Sequence, residues 1–401
     1  MLKNKTVVLG VTGSIAAYKI ANLASMLVKQ HADVNVIMTR NATNFINPIT
    51  FETLTGNKCL VDTFDRNFEF NVEHVSLAKR ADVFLIAPAS ANIIGKMANG
   101  IADDMLSTTV LAAKCPKLVS PAMNTNMYEN QIVQDNIKKL QEYGFEIIDP
   151  ASGYLACGDT GAGKMPEPKV LFDYIMKAIA FEKDLAGKKV LVTAGATQEK
   201  IDPVRFITNH STGKMGRAIA ENAMLRGADV TLINASVSVE PPRFVKVVNV
   251  KSAAQMADAV KTIADEQDVI IKTAAVADFR PANPVDEKIK KKDKDSSSVI
   301  ELERTEDILS YLGQNKKPGQ VLCGFSMETE NMLENSRSKL ARKNADMIVA
   351  NNLKVAGAGF GTDTNVVTLI TADECEELEI MGKDLVAEKI IDKIIKLAAQ
   401  K

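Results

Sequence analysis

Twice along this chain a run of aliphatic residues ends in a glycine turn and gives way to a helical pattern. The first copy is Val7-Val8-Leu9-Gly10-Val11-Thr12-Gly13-Ser14, running on into Ile15-Ala16-Ala17-Tyr18-Lys19. The second opens Lys189-Val190-Leu191-Val192-Thr193-Ala194-Gly195 and completes its turn at Thr212-Gly213-Lys214-Met215-Gly216. Such a turn delivers the backbone to a helix N-terminus, where unpaired N–H groups and the helix dipole favour an anion. Two copies point to two α/β units, each with its own site for a phosphate-bearing ligand.

The rest of the pattern agrees. In the first half, strands are expected to begin at Thr6, Val34, Val83, Lys117 and Phe145, with helices over 14–29 and 129–142 among those between them. Runs such as Val83-Phe84-Leu85-Ile86-Ala87 are apolar without alternation, so these strands should be covered on both faces. Strand–helix alternation of this kind predicts a doubly wound parallel sheet. The polar stretch 181–188 reads as a linker between domains 1–180 and 189–401. The second half repeats the layout with strands near Val190, Val230, Val245, Val269, Val321 and Met347, then an antiparallel edge pair around 366–370 and 377–380 and a closing helix over 385–397. The run 288–298, rich in lysine and serine, reads as a mobile loop.

Composition narrows the function classes. A chain of 401 residues with 46% hydrophobic content can bury two cores. A net charge of −1 gives no support for nucleic-acid wrapping or a polybasic membrane contact. The five cysteines are scattered without a C-x-x-C pair, which argues against a disulfide framework or a zinc site and fits a reducing cytoplasm. The N-terminus runs straight into a core strand, so no signal peptide is expected, and no segment is apolar for the length of a membrane span.

A dinucleotide is the default ligand of such turns, but the glycines do not spell G-x-G-x-x-G in either half. The second strands end in Met38-Thr39-Arg40 and Asn234-Ala235-Ser236, without the acid that would take a ribose diol. A hydroxyl, an arginine and Ser14 suit a mononucleotide phosphate better. Glycine is common in any such turn, so the case rests on other residues.

Three polar segments fall just past expected elements: the stretch around His74 followed by Ala87-Pro88-Ala89-Ser90-Ala91-Asn92, the stretch Pro121-Ala122-Met123-Asn124, and the glycine-rich stretch holding Cys157. A lone histidine at a helix start, an asparagine at a turn and a single cysteine each have commoner structural fates. Cys157 is the sharpest of them, because glycine-rich loops hold side chains over sites.

Together, His74, Pro121-Ala122-Met123-Asn124 and Leu155-Ala156-Cys157-Gly158-Asp159 resemble the flavin-dependent phosphopantothenoylcysteine decarboxylases. The run from Lys200 to Gly216, and Ala274-Ala275-Val276-Ala277-Asp278-Phe279, resemble phosphopantothenate–cysteine ligase. The resemblance spans nearly the whole chain, in the order of the bacterial bifunctional family. One departure is Tyr128, where the decarboxylase motif usually carries tryptophan.

The resemblance implies a flavodoxin-like flavoprotein domain followed by a Rossmann-like ligase domain. It implies that the cysteinyl thiol is oxidised at FMN, that CO₂ then leaves, and that the enethiolate is reduced again. In that scheme His74 acts on the thiol, Asn124 binds the substrate carboxylate and Cys157 supplies a proton. Gly13, Ser14, Thr39, Ser90 and Asn92 are the expected FMN contacts. For the ligase it implies activation of 4'-phosphopantothenate by CTP through an acyl-cytidylate, with Asn209 on the intermediate and Arg205 on substrate phosphate or carboxylate. Asp278, Lys288, Phe325, Lys339 and Lys343 are the expected CTP contacts, and Asp278 the expected Mg²⁺ ligand. Lys290–Lys294 read as a solvated charge run, and solvated helix lysines are the commoner fate of Lys339 and Lys343 too. The family also implies a homo-oligomer, a dodecamer of flavin-domain trimers and ligase-domain dimers. A flavin-binding regulatory protein and an NAD oxidoreductase are the rival readings.

Overall fold

The computed structural model describes residues 1–63, 73–154, 160–289, 299–328, 332–352, 359 and 361–401. It divides into two compact units, Met1–Phe181 and Glu182–Lys401.

In the first unit the elements run β1 (Thr6–Val11), α1 (Tyr18–Lys29), β2 (Asp33–Met38), α2 (Pro48–Thr55), α3 (Glu73–Arg80), β3 (Val83–Ala89), α4 (Ala91–Ala98), α5 (Met105–Ala112), β4 (Lys117–Pro121), α6 (Thr125–Tyr128), α7 (Gln131–Glu142), β5 (Glu146–Ile147), β6 (Ala151–Tyr154), β7 (Thr160–Lys164) and α8 (Pro168–Ile179). Strands β1 to β5 form one parallel sheet in the order β2-β1-β3-β4-β5, the flavodoxin order. The side-chain period of two splits the apolar runs between its faces. Val8, Phe84, Ile86 and Val119 meet the inner faces of α3, α4, α5 and α7, while α1 and α8 pack together on the other side. Every residue of β3 is buried, as an unbroken apolar run requires. Strands β6 and β7 form a separate antiparallel hairpin.

The second unit runs β8 (Lys189–Ala194), β9 (Glu199–Lys200), β10 (Phe206–Ile207), α9 (Lys214–Leu225), β11 (Asp229–Asn234), β12 (Lys246–Asn249), α10 (Ala253–Ile263), β13 (Val269–Lys272), β14 (Phe279–Pro281), β15 (Leu302–Arg304), α11 (Ile308–Gln314), β16 (Val321–Glu328), α12 (Met332–Arg342), β17 (Met347–Asn352), β18 (Thr364–Asn365), β19 (Val367–Ile370), β20 (Cys375–Glu377), β21 (Met381–Gly382) and α13 (Lys383–Ala399). Its main sheet is ordered β12-β11-β8-β13-β16-β17-β19-β20. The first six are parallel in Rossmann order; β19 and β20 add an antiparallel edge. Helices α10, α11 and α12 cover one face, and α9 and α13 pack against each other on the other side.

The polar stretch before β8 is not a free tether. Leu185 is buried and its N–H donates to the Arg226 carbonyl (3.0 Å). The Arg226 guanidinium donates to Asp184 and Asp392, fastening the stretch to the second unit. Among the described residues no helix is long and apolar enough to cross a membrane.

Candidate active sites

In open α/β sheets ligands lie past the carboxyl ends of the strands, where the strand order reverses. In the first unit that point falls between β1 and β3. Gly13 follows β1 and packs so closely that a Cβ there would lie 2.7 Å from the Cβ of Asn41. Ser14 caps the short 3₁₀ turn Ile15–Ala17, its Oγ accepting from the Ala16 N–H (3.3 Å). Thr39 follows β2; its Oγ1 is buried and has no hydrogen-bond partner among the described residues. Ser90 is the N-cap of α4 and makes no side-chain cap bond, while Asn92 is exposed one residue into that helix. Thus Gly13, Ser14, Thr39, Ser90 and Asn92 all lie at the carboxyl ends of three adjacent strands.

Thr12 escaped the sequence reading. Its buried hydroxyl donates to the Pro88 carbonyl (2.6 Å) and accepts from the Ser90 N–H (3.0 Å), tying the end of β1 to the turn after β3. The only signal was a threonine inside the glycine turn.

Asn124 is the N-cap of α6 and accepts from the Asn126 N–H (2.9 Å). The β6–β7 hairpin docks on the same segment. The Met123 N–H donates to the Gly163 carbonyl (3.1 Å) and Thr125 Oγ1 to the Ala162 carbonyl (2.9 Å). Gly163, at φ 116°, has room for no side chain, since a Cβ would lie 2.4 Å from the Met123 carbonyl oxygen. Cys157 falls in 155–159, outside the described residues, between the paired ends Tyr154 and Thr160 of this hairpin. His74 is half-buried in the first turn of α3, which leads directly into β3, so its turn faces the carboxyl-end rim of the sheet. Burial pushes the Cys59 thiol up to about 12 with help from Glu52, and raises Cys323 as well, so both behave as small hydrophobes.

In the second unit a cavity of about 330 Å³ opens past the carboxyl ends of β8, β13 and β16. Asn209, Asp278, Phe325 and Lys339 line it together with the start of α9. Gly213 enters that helix at φ 79°, where a Cβ would strike Val237 at 2.5 Å. Gly216 lets α9 press onto the sheet, within 2.6 Å of Ala194 Cβ and Thr273 Oγ1 for a hypothetical Cβ. Asn209 accepts from the Ser211 N–H (3.0 Å), and Lys339 Nζ donates to the Phe325 carbonyl (3.0 Å).

Three expected residues do not line this cavity. Lys343 is bonded to Asp307, the N-cap of α11. Arg205 donates to Asp202, whose side chain has no exposed surface, and to the Ile289 carbonyl (3.1 Å). Asp202 also accepts from the Ile289 N–H (3.2 Å), so this acid–base pair grips the backbone next to Lys288, itself exposed. Arg205 holds the Asp202 carboxyl well below the usual range, with the Val204 and Arg205 N–H groups adding to it.

Lys214, Lys272 and Lys383 also line the cavity and were not singled out from sequence. Lys272 left one signal: it ends an otherwise aliphatic strand, Val269-Ile270-Ile271-Lys272. Among the described residues no cluster of three or more His, Cys, Asp or Glu side chains is placed to hold a metal.

Comparison with known proteins falls along the same division. Residues 1–180 match the model of the Flavoprotein family, and residues 185–397 that of the DNA/pantothenate metabolism flavoprotein C-terminal domain. The coenzyme A biosynthesis bifunctional protein CoaBC of Bacillus subtilis is 48% identical over 404 residues, covering 100% of this chain and 99% of that one. The protein of the same name from Vibrio vulnificus is 41% identical, covering 98% of each. The crystal structure of a CoaBC C-terminal domain is 44% identical, covering 55% of this chain and 100% of that one, with a TM-score of 0.47. The chain, with a flavoprotein domain followed by a pantothenate-metabolism domain along its whole length, belongs to the family of coenzyme A biosynthesis bifunctional proteins.

Proposed function

We infer that this protein is a bifunctional enzyme of coenzyme A biosynthesis, joining cysteine to 4'-phosphopantothenate in the second unit and decarboxylating the product in the first. The observation that carries this reading is the end-to-end match to the CoaBC proteins, with both units present in the same order.

For the first unit we propose FMN as the flavin. The residues suit it: a buried, unbonded Thr39 hydroxyl, a Gly13 turn closed to any side chain, and the uncapped start of α4. FMN, when bound, supplies the two-electron acceptor and donor that oxidation and re-reduction at the cysteinyl carbon–sulfur bond need. Asn124 then orients the substrate carboxylate through its amide, His74 takes or shields the thiol proton, and Cys157 gives a proton to the enethiolate. Cys157→Ser is expected to release CO₂ and stop at the enethiol; full turnover to phosphopantetheine by that variant would remove Cys157 from the mechanism.

For the second unit we propose CTP. A phosphopantothenate carboxylate oxygen attacks the α-phosphorus and pyrophosphate leaves; the cysteine amine attacks the acyl carbon, loses a proton and CMP leaves. Catalysis here is positioning and charge neutralisation. The cavity lysines supply positive charge, and Asp278 is a single carboxylate of the kind Mg²⁺ uses beside phosphate ligands. Asn209 holds the acyl-cytidylate, and Asn209→Asp should accumulate it in a quench assay. Arg205, through its grip on residue 289, and Lys288 serve substrate and nucleotide phosphate; Lys343 supports the start of α11 through Asp307. A dodecamer of flavin-unit trimers and ligase-unit dimers is the proposed assembly, checked by mass in solution. The direct test of the whole reading is a yellow protein that releases CMP only when CTP, cysteine and phosphopantothenate are all present. CMP-free turnover or a protein that takes up no flavin would refute it.

A further inference from the structure

The cavity of the second unit is unbalanced in charge. Among the described residues four lysines line it, Lys214, Lys272, Lys339 and Lys383, against Asp278 as the one acid. Three of the lysines are engaged. Lys214 Nζ donates to Asp363 (2.7 Å) and to the Gly361 carbonyl (3.0 Å). Lys339 donates to the Phe325 carbonyl, and Lys383 to the carbonyls of Gly359 (3.0 Å) and Thr362 (2.6 Å).

Lys272 differs. Its ammonium makes no hydrogen bond or ion pair with any described residue. It ends β13, in register with Thr193 of β8 and Gly324 of β16, so its backbone is fixed by the sheet. That places it beside the reversal of strand order between β8 and β13, where ligands of this topology bind. Its charged surroundings are Lys339 from α12, Asp307 at the start of α11 and Asp278 from the segment after β13. Asp307 is itself spent on Lys343. Lys214 of α9 and Lys383 of α13 add like charge to the same cavity. A half-buried ammonium outnumbered by cations, with no hydrogen-bonded partner among the described residues, is a group that an anion from outside the protein would neutralise.

We propose that Lys272 is a nucleotide-positioning residue, its ammonium contacting the phosphate chain of the triphosphate at the strand-order reversal. The assignment rests on the nucleotide reading of this cavity. Burial and the charge of Lys339 push Lys272 down to about 8, against the opposing pull of Asp307 and Asp278. Near pH 8 the free protein therefore holds part of its Lys272 neutral. A bound polyanion favours the charged form, so binding should draw a proton onto it. Affinity should fall as pH rises above 8, because more of the lysine must then be protonated on binding.

The test is calorimetric titration of the full chain with magnesium and CTP at pH 8, in buffers of different ionisation enthalpy, which yields affinity and net proton uptake together. Wild type should take up a fraction of a proton. Lys272→Met should bind about tenfold or more weakly and lose the uptake. Lys272→Arg should keep most of the affinity and lose the uptake, since arginine stays charged. Thermal midpoints of the unliganded variants should match or exceed wild type, because a like charge has been removed or kept in place. Binding by Lys272→Met as tight as wild type, or an uptake undiminished in it, would overturn the assignment; burial and Lys214 also lower Lys383, which accounts for any smaller remainder. If wild type ignores CTP but binds ATP with the same uptake, the choice of CTP falls and the role of Lys272 stands.

Discussion

Thr39 hides a hydroxyl that no described residue bonds, and a group left that way in a folded protein costs stability unless a ligand satisfies it. Thr39→Val keeps the shape and removes the need. The apoprotein should be as stable as wild type or more so, while the flavin dissociation constant rises about tenfold, read from flavin fluorescence. A variant that holds flavin as tightly as wild type would detach Thr39 from the site. Asp202 offers a pH test at the same scale. Its carboxyl is held below the ordinary value of about 3.9, first by Arg205, so its stabilising effect is present above that value. That effect fades as pH falls toward the folded-state value. Asp202→Asn should therefore flatten the acid limb of the stability curve. Because the same carboxylate holds the Ile289 N–H, it should also speed hydrogen exchange there. Sequence reading found Arg205 but missed its partner, since two residues three apart in a loop give no signal of whether they face each other. Lys272 was missed for a related reason: its burial in the folded cavity and Lys339, far along the chain, make its charge unusual.

The elements legible in the sequence were those with long apolar runs. The strands expected at Thr6, Val83, Lys117, near Val190 and near Val269 begin at or within one residue of those positions, because burial on both faces makes their apolar runs long and unbroken. The hairpins β6–β7, β9–β10 and β14–β15 went unread. They are two to five residues long, largely exposed and mostly rich in glycine or charge, so no period of two is visible. Yet one of them sets the place of the Asn124 segment. Glycines that admit close approach are the other device at this scale. Gly216→Ala puts a methyl 2.6 Å from Ala194 Cβ and Thr273 Oγ1, so α9 must lift from the sheet. Overpacking of this kind should cost about 1–3 kcal/mol in a urea titration and should weaken triphosphate binding at the helix start. Unchanged stability would mean that α9 and the strand have slack that the contacts do not suggest.

At the scale of the molecule, each unit has its own sheet and covering helices, and each carries a candidate site at its own strand ends. The stretch before β8, read from sequence as a linker, belongs physically to the second unit, because a polar composition cannot reveal that Arg226 waits for Asp184. A fragment starting at residue 182 should therefore be more stable than one starting at 189. The difference should be about 1–3 kcal/mol by denaturant midpoint, since the shorter one strips Asp184 from a guanidinium with an 11% exposed side chain. Equal midpoints would show that Asp392 alone suffices.

Lys214 opens α9 while its ammonium is already spoken for by Asp363, on the strand-flanking segment that Lys383 also holds. An incoming phosphate that recruits Lys214 must displace a carboxylate from it. Occupancy then swaps one anion for another at that lysine instead of neutralising a bare cation. Affinity should consequently respond to added salt less steeply than the ligand's formal charge implies, and Asp363→Asn should steepen that response.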